Sequence, residues 1–142
     1  MLIVELPIHP SIYLSKLQNR AARVITSQGY EIRSSEIRQH LGWKTLSEYR
    51  TDHKLIMIHK ILNNTAPSYL RDHFKISKLN NSYLLRSQKM MLVLPKPQTG
   101  FFKKRFVYDG AKTWNDLPEN VRCNENLNGF KRHLQSPHSQ LE

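Results

Sequence analysis

The sequence predicts a small, mainly helical domain (α+β) that carries one short antiparallel β element in its second half. Two apolar patterns with helical spacing, around residues 11–28 and 45–62, favour amphipathic helices. Short apolar runs bounded by prolines and polar turns favour strands after residue 78. We therefore expect four to six short helices arranged around a central helix at about 45–62.

The central helix is predicted from Thr45 to Leu62, and it opens with a capping box. The Thr45 hydroxyl is placed to accept a hydrogen bond from the Glu48 amide, and the Glu48 carboxylate to accept one from the Thr45 amide. Apolar residues lie on two sides of the helix: Leu46, Tyr49, His53, Ile56, Met57 and Ile61 on one, and Leu55, Ile58 and Leu62 on the other. Such a helix is expected to be covered on both sides.

Three further helices complete the predicted helical half, residues 11–77. The first runs from Ser11 to Gln28 and stops at Gly29. The second begins at Ser34 or Ser35 and ends at Gly42. A short one occupies residues 66–74, where a proline stands in the first turn.

The first helix combines an apolar arc with a row of basic side chains. The arc, which we expect to anchor the helix in the core, consists of Tyr13, Leu14, Leu17, Ala21, Val24 and Ile25. Lys16, Arg20 and Arg23 follow its edge one turn apart. Such a ridge is suited to contacting phosphates, and an ordinary solvated helix face is the alternative.

The second half, residues 78–135, is predicted to mix strands and helices. Strands are expected at residues 83–86, 91–94 and 101–108, although Pro95 and Pro97 confine the middle one to a sheet edge. A turn of helix follows at residues 111–117, and Leu127, Phe130 and Leu134 mark a last short helix. We expect one domain over 11–135, after a ragged start at 1–10 and before a polar tail at 136–142.

Charge is the outstanding bulk property of the 142-residue chain. Its 22 lysines and arginines outnumber its 11 acidic residues and give a net charge of +11. This excess favours nucleic acid or an anionic membrane as partner, and a merely basic protein is the alternative. The single cysteine, the missing membrane span and the absence of a signal peptide favour a cytoplasmic or nuclear protein that is not secreted.

The residues needed for several kinds of catalysis are missing. Asp72, Asp109 and Asp116 are scattered, so no aspartate pair is placed to hold two magnesium ions, and glycines are never clustered into a phosphate loop. Cys123, His133 and His138 resemble part of a zinc finger, but a second cysteine is missing. We expect no enzymatic activity, no metal, no cofactor and no small-molecule substrate.

Basic and aromatic residues alternate between Lys96 and Trp114. Lysines and arginines neutralise phosphates, and exposed rings stack on unpaired bases. We expect Phe106 and Trp114 to lie in the core, and Phe101 or Phe102 to favour single strands if exposed. The candidate nucleic-acid contacts of the whole chain are Lys16, Arg20, Arg23, Lys96, Lys103, Lys104, Arg105 and Lys112.

Six short sequence segments, in a fixed order, form a pattern that is more specific than apolar periodicity. They are LSKLQNRAARVIT, LGWKTL, HKILNNTAPSYL, YLLRS, LPKPQTGFFKKRFVYDGAKTWNDLP and NLNGFKRHL, and they cover Leu14 to Leu134. Together they resemble the carboxy-terminal region of reverse transcriptases from non-LTR retrotransposons of the jockey and CR1-like kind. The chain differs from that pattern at Ser27, Tyr49 and Arg105, where glycine, arginine and serine are common.

The resemblance implies a role in holding template RNA or target DNA. It also implies that the catalytic Tyr-x-Asp-Asp motif and an endonuclease domain precede this region, so the chain is expected to be a truncated copy. The function expected is a non-catalytic, sequence-nonspecific nucleic-acid-binding remnant of an RNA-directed DNA polymerase, without a membrane partner. The alternative is an inert structural fragment of a decayed mobile element.

Overall fold

A computed structural model of the chain describes residues 10–77 and 90–135, and these contain seven α-helices. The helices are α1 (Pro10–Thr26), α2 (Ser34–His40), α3 (Leu46–Leu62), α4 (Ser68–Arg71), α5 (Phe106–Asn115), α6 (Glu119–Arg122) and α7 (Leu127–Gln135), with a 3-10 turn at Phe102–Lys104. The chain divides into two compact units, Met1–Arg50 and Thr51–Glu142, so α3 begins in the first and continues in the second. The predicted strand at 83–86, the tail at 136–142 and the start before Pro10 lie outside the described residues.

Polar side chains join α1 to α2 and to the loops around them in the first unit. The Arg38 guanidinium donates to the Asn19 side chain, and the Gln18 amide donates to the Lys44 carbonyl at 2.8 Å. The turn after α2 uses Gly42 at a φ of +65°, a conformation that costs glycine little.

The prediction that the apolar arc of α1 is buried is wrong. Only Ala22 of this helix is buried, whereas Val24 is 73% exposed and Leu17 is 44% exposed. The reason is that the inward side of α1 is small or polar, with Ala22 flanked by half-buried Ser15 and Thr26. The apolar arc therefore faces outward from its own unit.

The predicted capping box at the start of α3 is confirmed. The Thr45 amide donates to Glu48 Oε2 at 2.6 Å, and the Glu48 amide donates to Thr45 Oγ1 at 3.3 Å. The prediction of cover on two sides is wrong, since Tyr49, His53 and Met57 are exposed. The buried residues of α3 lie on one continuous side: Leu55, Ile58, His59, Ile61 and Leu62.

The core of the second unit is built around three rings. His59 stacks on Phe130 with 4.6 Å between centroids, and Trp114 lies 5.7 Å from Phe130. His59 Nε2 is 2.7 Å from the Asn124 carbonyl oxygen, which can only accept, so Nε2 carries the proton and donates. Trp114 is buried as predicted, at 1% exposure.

The predicted antiparallel β element is contradicted within the described residues, which contain no strand. Residues 91–94 take part in a single antiparallel bridge, between Ile76 and Leu92. A side chain replaces a neighbouring strand: the Asn115 amide nitrogen donates to the Leu92 carbonyl, and the Leu92 amide donates to Asn115 Oδ1, both at 2.8 Å. Because Asn115 pairs with one residue only, and Pro95 and Pro97 lack an N–H, no ladder extends.

The prediction of a strand at 101–108 is also wrong. This segment forms the 3-10 turn and the beginning of α5, five residues earlier than the helix predicted at 111–117. The buried residues Gly110, Ala111 and Trp114 have helical spacing and decide the outcome. A Cβ on Gly110 would lie 2.8 Å from Ile58 Cδ1, which shows how closely α5 approaches α3. Phe106, expected in the core, is 37% exposed and packs edge-on against Phe74.

Candidate nucleic-acid interface

The segment 101–105, called the basic turn below, is folded by local backbone hydrogen bonds. The Phe102 amide donates to the Thr99 carbonyl at 3.1 Å, and the Arg105 amide donates to the Phe102 carbonyl at 3.0 Å. Arg105 then adopts an extended conformation as the N-cap residue of α5, and its carbonyl accepts the Asp109 amide. The turn therefore presents its side chains at the beginning of a ten-residue helix.

The two adjacent phenylalanines of the basic turn have different surroundings. Phe102 is half-buried, lies 6.3 Å from the Tyr108 ring and carries the Arg105 guanidinium 5.6 Å above it. Phe101 is 74% exposed. Phe102 thus supports the turn and positions Arg105, whereas Phe101 is the ring accessible for stacking.

The lysines of the basic turn keep their charges available. Lys103 and Lys104 are exposed, and neither side chain has a hydrogen bond or ion pair with another described residue. The acid nearest in sequence, Asp109, forms an ion pair with Lys54. No side chain caps α5, so the positive end of its dipole adds to the potential at the turn.

The other two predicted residues of the second unit are exposed. Lys112 lies on α5 two turns after Arg105, which corresponds to about 10 Å along the helix axis. Its position opposite the buried Ala111 and Trp114 side directs it outward. Lys96 stands in the irregular segment between Pro95 and Pro97.

The predicted ridge of α1 separates into two kinds of residue. Lys16 and Arg20 are exposed. Arg23 is half-buried and holds the loop that joins α1 to α2, since its guanidinium donates to the Gly29 carbonyl, to the Ile32 carbonyl at 2.8 Å and to Ser34 Oγ at 3.1 Å. The same guanidinium lies 5.0 Å from the Tyr30 ring centroid. These contacts occupy Arg23 with structural bonds.

Sequence reasoning missed the Lys54–Asp109 ion pair, because its partners are 55 residues apart and neither belongs to a motif. Among residues 10–77 and 90–135, no three histidine, cysteine, aspartate or glutamate side chains come together as a metal site, and Cys123 is an exposed free thiol. His138 lies outside this part of the chain.

The carboxyl group of Glu48 has a lowered pKa. Hydrogen bonds from the Thr45 backbone and then from its hydroxyl lower the pKa of Glu48, because both favour the ionised carboxylate. The pKa of this group reports on the capping box of α3, far in sequence from the basic turn.

Comparison with known proteins finds no matching protein family, no matching curated protein and no matching solved structure. In the part of the chain that the structure describes, no helix combines the length and the apolar character needed to cross a lipid bilayer.

Proposed function

We propose that the chain is a non-catalytic nucleic-acid-binding protein that contacts RNA or DNA through the basic turn, without reading sequence. The observation that carries the proposal is the exposed Phe101 next to Lys103 and Lys104, whose side chains have no partner among the described residues. These groups lie at the uncapped beginning of α5. No motif places a side chain to read base edges, so binding is expected to be sequence-nonspecific.

The roles of the side chains follow from their surroundings. Lys103 and Lys104 neutralise phosphates, and Lys112 and Lys96 extend the positive surface of the same unit. The Arg105 guanidinium lies over the Phe102 ring, and this contact positions its positive charge beside those of the lysines. Phe101 stacks on an unpaired base, which favours a single strand over a duplex.

The resemblance to non-LTR reverse transcriptases supports a proposal for the origin of this nucleic-acid-binding activity. We infer that the chain is a remnant of an RNA-directed DNA polymerase that retains contacts to template RNA or target DNA. The chain lacks the Tyr-x-Asp-Asp motif, and Asp109 is engaged with Lys54, so we expect no template-directed nucleotide incorporation.

The test is fluorescence anisotropy with a labelled single-stranded oligonucleotide across a salt series. Replacing Lys103, Lys104 and Arg105 by alanine is expected to flatten the salt slope by about two to three units, because three phosphate contacts are lost. A control variant with Arg33, Lys75 and Arg132 replaced by alanine removes the same charge from other exposed positions and is expected to retain the parent slope.

The result also separates the proposal from the alternative. An unchanged slope in the first variant would remove the basic turn from the interface. Absence of binding by the parent chain at low salt would leave the inert structural fragment as the better description.

The stacking role has its own test. Phe101→Ala is expected to weaken single-strand binding by about 1–3 kcal/mol, the range for one stacked base, and to change duplex binding little. Tyr69→Ala is the matched control, because Tyr69 is an exposed ring of the same unit, 66% exposed and far from the turn in sequence. Equal losses for single strand and duplex would contradict stacking.

A further inference from the structure

The exposed face of α1 has the spacing of a helix–helix seam. Leu14, Leu17, Ala21 and Val24 follow one another at intervals of three, four and three residues. This interval is the heptad pattern with which one helix packs along another. All four are exposed, and no element among the described residues of the first unit covers the seam, which these four residues define.

A contiguous apolar face on an exposed helix indicates a contact surface and not ordinary exposure to water. Exposed apolar residues are ordinary when scattered, but contiguous apolar faces mark interaction sites. Tyr13 and Ile25 border the seam at 59% and 60% exposure and extend the same face. Of the polar contacts that attach α1 to its unit, Asn19 makes one on the other side of the helix, and Gln18 makes one at the edge of the seam beside Leu14.

A cavity adjoins one end of the seam. It has a volume of about 460 Å³ and is lined by Ile25 together with Ile32, Ile37 and Leu41. Ile25 thus belongs both to the border of the seam and to the wall of the cavity. A helix lying along the seam would have room for a large apolar anchor at this end, as in helix-in-groove recognition.

Charge restricts the kind of helix that fits. The α1 sequence contains no acidic residue; Arg20 borders the seam and Lys16 lies one turn before Arg20, and neither side chain has a partner among the described residues. A covering helix with acidic residues along its edge would pair with both. A second copy is a poorer match, because each copy carries a net charge of +11 and an antiparallel pair would bring Arg20 towards its equivalent. Nucleic acid would satisfy Lys16 and Arg20 but leave the leucines of the seam in water.

We propose that the seam of α1 is a docking surface for one amphipathic α-helix of another protein, with apolar residues along its contact side and acidic residues along its edge. Ala21, the small residue at the middle of the seam, lets the two backbones approach. Leu14, Leu17 and Val24 pack between the side chains of the partner, and Lys16 and Arg20 pair with its carboxylates.

The experiment titrates the full chain into a labelled designed peptide of about three heptads with leucine at the seam positions and glutamate at the edges. Two control peptides accompany it: a twin with lysine at the edges, and a scrambled peptide of identical composition without an apolar face. The glutamate peptide is expected to bind at least about tenfold more tightly than either control, which excludes simple attraction between opposite charges.

Variants then locate the site. Leu17→Glu is expected to weaken binding of the glutamate peptide by about tenfold or more, because it places a charge in an apolar contact. Tyr69→Glu introduces the same charge at an exposed ring of the second unit and is expected to leave binding unchanged. Arg20→Glu is expected to weaken binding of the glutamate peptide and strengthen binding of the lysine twin.

Four outcomes would overturn the proposal. Equal binding of the scrambled peptide would reduce the interaction to charge alone. A dimer of the parent chain that Leu17→Glu dissociates, measured by light scattering, would make a second copy the occupant. An oligonucleotide whose binding requires Leu17 would make nucleic acid the occupant. A fall in the unfolding midpoint for Leu17→Glu as large as for a core substitution would show that the seam is buried within the chain.

Discussion

Each of the two units of the chain is stabilised internally by a different kind of interaction. The second unit buries a continuous apolar cluster that includes Ile58, Trp114 and Phe130. Within the described residues of the first unit, only Ala22 and Ile37 are buried, and side-chain hydrogen bonds from Arg23, Arg38 and Gln18 add to the attachment. One unit is a packed core, and the other is a helix pair fastened by polar side chains.

The difference indicates where stability lies. A fully buried large apolar side chain contributes about 1.5–3 kcal/mol, whereas a hydrogen bond contributes a net of about 0.5–1.5 kcal/mol. The second unit is therefore expected to set the cooperative unfolding of the chain. The first unit is expected to open at a lower free energy and to gain order when a partner covers the seam.

The largest expected effect is that of Trp114→Ala. Trp114 is 1% exposed, packs against Phe130 and donates from Nε1 to the Met90 carbonyl at 2.8 Å. Its removal is expected to cost about 3–5 kcal/mol, enough to unfold a marginal domain. Urea denaturation followed by circular dichroism measures the loss, with Phe101→Ala as an exposed control. A variant that unfolds like the parent would show that this core does not stabilise the second unit.

Gly110→Ala tests the close approach of α5 to α3 in the same core. The new Cβ would lie 2.8 Å from Ile58 Cδ1, the end of a side chain that must rotate or shift. A cost of about 1–3 kcal/mol is expected from overpacking. Gly100→Ala is the matched control, because a Cβ at Gly100 meets nothing within 4 Å. Equal unfolding midpoints for the two variants would mean that α5 and α3 are less tightly packed than the structure shows.

Arg23→Lys tests the polar attachment of the first unit. An ammonium group cannot reproduce the fork of donors that reaches the Gly29 and Ile32 carbonyls and Ser34, so a loss of about 1–2 kcal/mol is expected in this unit alone. Amide hydrogen exchange should accelerate in α1 and α2 and stay unchanged in α5. Arg20→Lys, on the same helix, provides the control. Faster exchange throughout the chain would show that the two units unfold together.

The smallest expected effect concerns the charge of Glu48. Its pKa is lowered in the folded chain by hydrogen bonds from Thr45, so the folded state favours the ionised carboxylate. The resulting stabilisation is present above the ordinary carboxyl pKa and is lost as the pH falls through the lowered value. The free-energy difference between the parent and Glu48→Gln should therefore shrink towards zero in acid, from under about 1 kcal/mol at neutral pH. A difference that does not change with pH would contradict the capping role of the carboxylate.

The sequence predicted best the features that depend on neighbours within one or two turns. The capping box of Thr45 and Glu48, the stop of α2 before Gly42 and the last helix around Phe130 are confirmed. The burial of Trp114 is confirmed as well, although none of its contacts was predicted. The segment 101–108 was predicted wrongly because Phe106 and Tyr108 fit an alternating pattern, whereas the buried positions that decide the structure lie further along α5.

The features of the candidate interface also divide into those that the sequence indicates and those that only the structure assigns. The sequence indicates the residue types of the basic turn, since Lys103, Lys104 and Arg105 are adjacent. Only the structure distinguishes the supporting Phe102 from the exposed Phe101, and only the structure assigns Arg23 to a loop. These distinctions depend on which side of a turn is covered, and a local pattern contains no such information.

By itself, the sequence determined the positive charge, the presence of α1 and α3 and the capping box of α3, because charge is a sum over residues and a capping box joins residues three positions apart. The tertiary structure decided the pairing of Lys54 with Asp109, the capture of the Leu92 backbone by Asn115 and the outward direction of the α1 seam. The first two join residues that are distant in the chain. The third arises because the side of α1 that its own unit covers is the one lined by Ala22 and by polar side chains able to donate hydrogen bonds. An amphipathic pattern states that an apolar face exists, and only the surrounding elements decide whether that face is buried.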